Sequence, residues 1–226
     1  MCGRFALKAP PAEIMRVFGV TAVPELAPRY NIAPTQDILI VRQHPGELEA
    51  RREAVLVKWG LLPSWAKDTS MAAKLANARG ETVAEKPAFR NAFRRMRCLV
   101  PADGFYEWEA TPSGKQPWFL RLKSQAPLAF AGLWEHWQGP DGAALETATL
   151  ITTDANELVR PVHDRMPVIL QPGDWAAWLG AQTKADDLKA LLKPLPADLM
   201  ERYLVSRRMS NARNEGEECI RPVGID

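Results

Sequence analysis

Short strand-like runs outnumber helical stretches, turn signals recur at close intervals, and no long polar linker, repeat or low-complexity tract divides the chain. These observations predict an α+β fold: a single domain over residues 1–226 with a mixed, mostly antiparallel, barrel-like β-sheet core and peripheral helices.

Residues 11–18 open the series as a helix that breaks at Phe18-Gly19. Runs rich in β-branched and aromatic residues predict strands at 37–43 (DILIVRQ) and 54–61 (AVLVKWGL). A helix is expected from about Pro87, a residue suited to a first turn, with Phe89, Phe93 and Met96 at helical spacing. Strands follow at 98–109, 117–123, 128–137 and 146–153. Thr-Pro-Ser-Gly at 111–114 and Gly-Pro-Asp-Gly at 139–142 supply the reversals that make these neighbours antiparallel hairpins. Residues 166–170 and 202–207 read as further strands. Between them, Asp174 can cap DWAAWL with Gly180 closing it, and 184–193 sets Leu188, Leu191 and Leu192 on one helical face.

The chain is long enough for a sizeable core, and its 46% hydrophobic content is ordinary for a globular protein. Eight Trp is a high number, and an indole N–H needs a partner when buried, so some are expected to line a groove. A net charge of +2, from 29 basic and 27 acidic side chains, excludes a protein that coats long duplex DNA by charge alone. Any nucleic-acid site must be local. Two basic clusters are available for it, Arg90/Arg94/Arg95/Arg97 and Arg202/Arg207/Arg208/Arg213, although most charge runs are solvated faces. Cys2, Cys98 and Cys219 are an odd number without CxxC spacing, which supports neither a disulfide framework nor a zinc site; no metal and no cofactor is expected. Cys98 reads as a small buried hydrophobe and Cys219 as incidental. The first twenty residues lack a continuous apolar stretch and no run approaches a membrane span, so the expectation is a soluble, cytoplasmic protein, nucleoid-associated if bacterial, without a membrane partner.

Cysteine at position 2 carries the most specific chemistry. Aminopeptidases remove Met1 when the next side chain is small, which would leave Cys2 as a terminal 1,2-aminothiol. An α-amine has a pKa of about 7.7–8.0 against about 10.4 for lysine, so roughly a tenth of it is free base at neutral pH. It is the chain's best-prepared amine for an aldehyde. Two carbons separate the imine nitrogen it forms from the thiol, which can close a five-membered thiazolidine ring without loss of translational entropy. Position 2 alone does not decide the matter, because any protein can carry Cys there.

Seven segments in order, MCGRFA at 1–6, RYNIAP at 29–34, WGLLPSWA at 59–66, NARGET at 77–82, VPADGFYEW at 100–108, VHDRMPVIL at 162–170 and VSRRMSNARNEG at 205–216, span nearly the whole chain. Together they resemble the SOS response-associated peptidase (SRAP) family. That resemblance implies the shielding of abasic sites in single-stranded DNA by a thiazolidine cross-link from the N-terminal cysteine. It implies a nucleophile at Cys2, a positioning amide at Asn77, a carboxylate at Glu107 and an acid/base imidazole at His163. An abasic sugar rests mainly as a closed hemiacetal, and histidine can carry a proton to its ring oxygen near neutral pH. Glu107 could accept a proton from the ammonium or hold the amine, although alternation in FYEWE alone would equally suit a solvent-facing residue on the face of Phe105 and Glu109. Among three histidines, His163 has the most polar neighbours, Asp164 and Arg165.

The resemblance further implies Arg4, Arg79 and Arg165 as phosphate ligands, with Asn31, Pro34 and Trp65 close to the sugar and bases. Where some members carry another Arg shortly after the NAR segment, this chain has Glu85-Lys86-Pro87. The implied partner is single-stranded DNA with abasic sites, including single-strand/duplex junctions, for a monomeric protein with lyase and (auto)peptidase activity in view. Two rival readings are a thiol (auto)peptidase using Cys2, and a non-covalent single-stranded DNA-binding module.

Overall fold

The computed structural model describes residues 2–43, 51–140 and 142–224. In chain order its elements are β1 (Phe5–Leu7), α1 (Pro11–Phe18), β2 (Arg29–Ile32), β3 (Asp37–Gln43), β4 (Arg52–Trp59), β5 (Asn77–Arg79), α2 (Arg90–Arg95), β6 (Arg97–Ala102) and β7 (Gly104–Thr111). They continue with β8 (Gly114–Leu122), β9 (Leu128–Gln138), β10 (Ala144–Asp154), β11 (Arg165–Pro167), β12 (Ile169–Leu170), α3 (Trp175–Leu179), α4 (Ala185–Ala190) and β13 (Met200–Leu204). Short 3-10 turns fill several connections. No helix among the described residues is long and apolar enough to cross a membrane.

The strands form two layers. β10, β4, β3, β6 and β9 pair in that order, and β9 pairs back onto β10 from Gly132↔Leu150 to Gln138↔Ala144, closing a five-stranded barrel. All of its pairings are antiparallel except β4–β10. Closure leaves no open edge on these strands. The second layer is an antiparallel sheet in the order β13-β8-β7-β1-β2. The expected α+β class with a mixed, mostly antiparallel, barrel-like core is what forms.

Phe5 joins the layers. From β1 its ring meets Trp59 of β4 edge-on at 5.2 Å and Phe130 of β9 at 5.8 Å, while Phe105 of β7 meets Phe130 at 6.1 Å. Full burial of such a ring is worth about 1.5–3 kcal/mol, with ~0.5–1.5 kcal/mol more for each well-oriented pair. The N-terminal strand is therefore anchored from its first residue, Phe5, onward.

The stretch expected as one strand over 98–109 is two strands in different layers. β6 belongs to the barrel, and β7 to the sheet. The Asp103 carboxylate turns the chain between them by accepting the backbone N–H groups of Lys8 and Ala9 (2.5 and 2.9 Å). At Gly104 a Cβ would lie 2.4 Å from the Phe119 ring and 2.6 Å from the Leu120 carbonyl, so only glycine allows this close passage. Strand propensity continues through the corner, which is why pattern reading runs across it.

The expected strand 166–170 likewise divides into β11, on β10, and β12, on β9. The 202–207 strand begins earlier, as β13, and gives way to a 3-10 turn at Arg207–Ser210. Helix α1 occupies the expected span: Pro11 starts it, Gly19 ends it in the left-handed conformation, and Phe18 stacks on Trp175 at 4.8 Å. α2 and α4 are shorter than the expected helices. Asp174 makes no side-chain cap for α3; instead Arg97 binds the Trp178 and Gly180 carbonyls at its C-terminus (2.6 and 2.7 Å). β1, β2 and β5 are too short to leave a period-2 signal, and none of them was expected.

Candidate active site at the N-terminal strand

The site is built where the sheet layer meets the C-terminal end of β10. β1 and β7 pair as Phe5↔Phe105 and Ala6↔Gly104, and the Tyr106 N–H donates to the Arg4 carbonyl at 3.0 Å. Continuing that register sets Glu107 across from Gly3, next to Cys2. Strand alternation sends Tyr106 to an outer cluster with Ala6 and Phe119, and turns Phe105 and Glu107 toward the barrel. Glu107 is consequently 2% exposed. The solvent-facing alternative for this residue is excluded.

β10 brings in the other groups on its two flanks. On one, β5 pairs in parallel, with Asn77 opposite Leu150 and Arg79 opposite Thr152. Asn77 Nδ2 donates to the Cys2 carbonyl at 2.8 Å, and its Oδ1 is buried with no hydrogen-bond partner among the described residues. On the other flank β11 sets Arg165 opposite Asp154, just after His163 and Asp164. A turn stabilised by the Asn156 side chain, which accepts the Leu158 and Val159 N–H groups, carries the chain to the His163 N–H, which bonds to the Val159 carbonyl.

The electrostatics follow from burial. Burial pushes the Glu107 carboxyl up to about 7, and the charge of Asp164 adds to the effect. Burial, then the charge of Glu107, push the Cys2 thiol well above its ordinary range, so it holds its proton. The thiol sits 3.8 Å from the Arg4 carbonyl and is fully buried. Burial lowers the His163 imidazole. Its Nδ1 accepts the Arg165 N–H at 2.9 Å, which leaves the proton of the neutral ring on Nε2; Asp164 Oδ1 lies 2.9 Å from the same Nδ1. Of these three groups the carboxyl and the imidazole can exchange protons near neutral pH, while the thiol stays protonated.

The residues expected at DNA divide by environment. Trp65 is 54% exposed on the turn after β4, and Arg79 is exposed, its side chain without a hydrogen bond or ion pair among the described residues. Pro34 is half-buried. Asn31 is fully buried, its Nδ2 donating to the carbonyls of Met209, Asn211 and Asn214 (2.9, 3.0 and 2.7 Å) while its Oδ1 accepts from Arg4 at 2.7 Å. Arg4 also reaches the Met209 and Ser210 carbonyls (3.1 and 3.3 Å) and lies 5.8 Å from the Trp108 ring centre. Asn31 and Arg4 therefore fasten the C-terminal segment to β2. Arg165 is held by Glu81 and Asp154.

Of the basic clusters, Arg90, Arg94 and Arg95 are exposed, but Arg97 is buried against four backbone carbonyls. Arg207 is tied to Ser113 and Gln116, and Arg202 lies 4.6 Å over the Trp118 ring. Sequence reasoning passed over Glu81, Asp154 and Trp108. Glu81 stands inside NARGET and Trp108 inside DGFYEW, but nothing in either segment announces which arginine each will meet.

A family model described as SOS response associated peptidase (SRAP) matches residues 1–212. The abasic site processing protein YoqW of Bacillus subtilis (strain 168) is 43% identical over 225 residues, covering 97% of this chain and 99% of the relative. The abasic site processing protein HMCES of Gallus gallus is 32% identical, covering all of this chain and 79% of its own. Among solved structures, a protein from Bacteroides thetaiotaomicron superposes with a TM-score of 0.87 at 24% identity, covering 98% of this chain and 100% of its own. A protein from Bordetella bronchiseptica does so at 0.79 and 29% identity, covering 91% of this chain and 100% of its own.

Proposed function

The chain belongs to the SRAP family, and from that membership we propose that it processes abasic sites in single-stranded DNA by forming a thiazolidine cross-link through Cys2 once Met1 has been removed. While Met1 is attached, the nitrogen of Cys2 is a peptide nitrogen and cannot form an imine. After removal, the free amine adds to the C1′ aldehyde of the opened sugar and water leaves, giving the imine. The Cys2 thiol then adds across the C=N bond: sulfur bonds to C1′ and its proton passes to the nitrogen. Amine, thiol and aldehyde are consumed and one water is released.

The observation that carries the reading is the convergence on Cys2: the Asn77 amide grips its carbonyl at 2.8 Å, and Glu107 lies across β1–β7 from its neighbour. A carboxyl near 7 suits the removal of a proton from an α-ammonium of about 7.7–8.0. The unpartnered Asn77 Oδ1 is an acceptor for that ammonium or for a sugar hydroxyl. His163, with its proton on Nε2, moves a proton at the sugar's ring oxygen. Trp65 and Pro34 offer faces for bases, and Arg79 and Arg165 for phosphates. The raised thiol favours this order of events over a thiol peptidase, which needs a thiolate at the outset.

The test is an abasic single-stranded oligonucleotide incubated with protein of verified mass and run on a denaturing gel. The wild type should give a heat-stable adduct. Cys2→Ala should give none, leaving only an imine that borohydride traps, and an extra residue before Cys2 should remove both. Cross-linking by Cys2→Ala at the wild-type rate, through Cys98 or Cys219, would refute the mechanism.

A further inference from the structure

We propose that Glu81 is an internal stand-in for a DNA phosphate: it occupies the Arg165 fork until a strand displaces it, and so sets how weakly the protein holds undamaged single strands. The inference rests on Arg165 and Arg79 being phosphate ligands. Arg165 Nη1 donates to Glu81 Oε1 at 2.6 Å and Nη2 to Oε2 at 3.0 Å. Two parallel N–H···O bonds to two oxygens of one anion are the geometry in which a guanidinium takes a phosphate. The fork is also held from the strand side by a backbone acceptor, the Thr152 carbonyl at 2.8 Å from Nη2, so it stays anchored when Glu81 leaves; the exposed Asp154 Oδ1 accepts from Nη1 at 2.8 Å.

Exposure and bonding together identify which partner a phosphate would replace. The Arg165 side chain is 13% exposed, Asp154 77% and Glu81, in the turn that follows β5, 49%; only Glu81 fills the fork with both carboxylate oxygens, whereas Asp154 contributes one. Glu81 can rotate into water while Arg165 stays. Arg165 and then Arg79 hold the Glu81 carboxyl below its ordinary range, so it is ionised at neutral pH. Arg79 and Arg165 against Glu81 and Asp154 sum to no net charge, and an approaching strand meets no attraction there. Moving Glu81 aside leaves the two guanidinium groups in excess. An intact strand must meet that cost with phosphate contacts alone and departs, whereas an abasic strand is retained by the bond at Cys2.

The experiment measures the affinity of an undamaged single-stranded oligonucleotide by fluorescence anisotropy across a salt series, for wild type, Glu81→Gln, Glu81→Asp, Arg165→Ala, Arg79→Ala and the Glu81→Gln/Arg165→Ala pair. Glu81→Gln, which keeps the side chain's volume, should bind about tenfold tighter, with a slope of log affinity against log salt steeper by up to ~0.7. Glu81→Asp, one methylene short of the fork, should shift the same way. Adding Arg165→Ala should cancel the gain. Unchanged or weaker binding by both Glu81 variants, with Arg165→Ala still weakening, would overturn the stand-in and leave the phosphate ligands in place. Wild-type affinity for Arg165→Ala and Arg79→Ala together would refute the phosphate reading itself.

Discussion

Replacing Glu107 by Gln should stabilise the fold at neutral and alkaline pH while slowing adduct formation. In the folded chain this carboxyl is 2% exposed, and burial first, then the charge of Asp164, raise it from its ordinary 4.5 to about 7. The unfolded carboxyl loses its proton near 4.5 and the folded one keeps it to about 7, so across that window the folded state binds more protons and stability falls as pH rises. At ~1.36 kcal/mol per pH unit, ionising Glu107 costs the fold about 3 kcal/mol once pH passes 7. Gln has no such titration. The stability difference between Gln and Glu should therefore climb by about 3 kcal/mol between pH 4.5 and 7 and then level off. Urea unfolding over a pH series reads it, with an unchanged m-value confirming that the same surface is exposed. Because Glu107 lies across from Gly3, next to Cys2, both proteins need the same Met1 status by intact mass. A difference that stays flat across the window would refute the claim that the fold holds Glu107 as a destabilised carboxylate. The gain in stability should accompany a loss of chemistry, since Gln accepts no proton.

Other outcomes separate binding, chemistry and packing. Trp65→Ala, at a side chain 54% exposed, should weaken single-strand binding by about 1–3 kcal/mol with little change in Tm, and unchanged affinity would remove its stacking role. His163→Ala should slow capture of the closed abasic sugar by about 10²–10⁴-fold while binding of undamaged strands holds, and the defect should shrink with an open-chain aldehyde; equal defects on both substrates would move His163 to a later step. Burial lowers His163, so any limb of the rate profile that it sets belongs below 6.5. Arg97→Ala should cost about 3 kcal/mol of unfolding free energy, because Phe93, Arg94, Trp178 and Gly180 lose a buried donor to their carbonyls, whereas Arg94→Ala should stay within about 0.5 kcal/mol. Equal costs would contradict the division of that cluster into one buried and several exposed arginines.

Local chemistry in the sequence determined a good deal. The span of α1 followed from Pro11 and Gly19, β3 from DILIVRQ, and the β7–β8 hairpin from Thr-Pro-Ser-Gly, because helix punctuation, β-branched runs and turn residues act over a few neighbours. The reactivity open to an N-terminal Cys2 is covalent and equally local. Order of motifs along the chain sufficed for the family.

Only the tertiary structure decided environments. FYEWE reads the same whether Glu107 faces water or the barrel; the corner at Asp103-Gly104 and the packing of Phe5 on Trp59 put it inside, and a carboxyl's pKa depends on that burial. An arginine's sequence neighbours likewise do not reveal whether its fork is open, as at Arg79, closed by a distant carboxylate, as at Arg165, or spent on backbone carbonyls, as at Arg4 and Arg97. Asn77 and Cys2 are 75 residues apart, and Glu81 and Arg165 are 84 apart. Such pairings arise where β5 and β11 flank the end of β10, a non-local arrangement whose hydrogen bonds leave no periodicity in the chain.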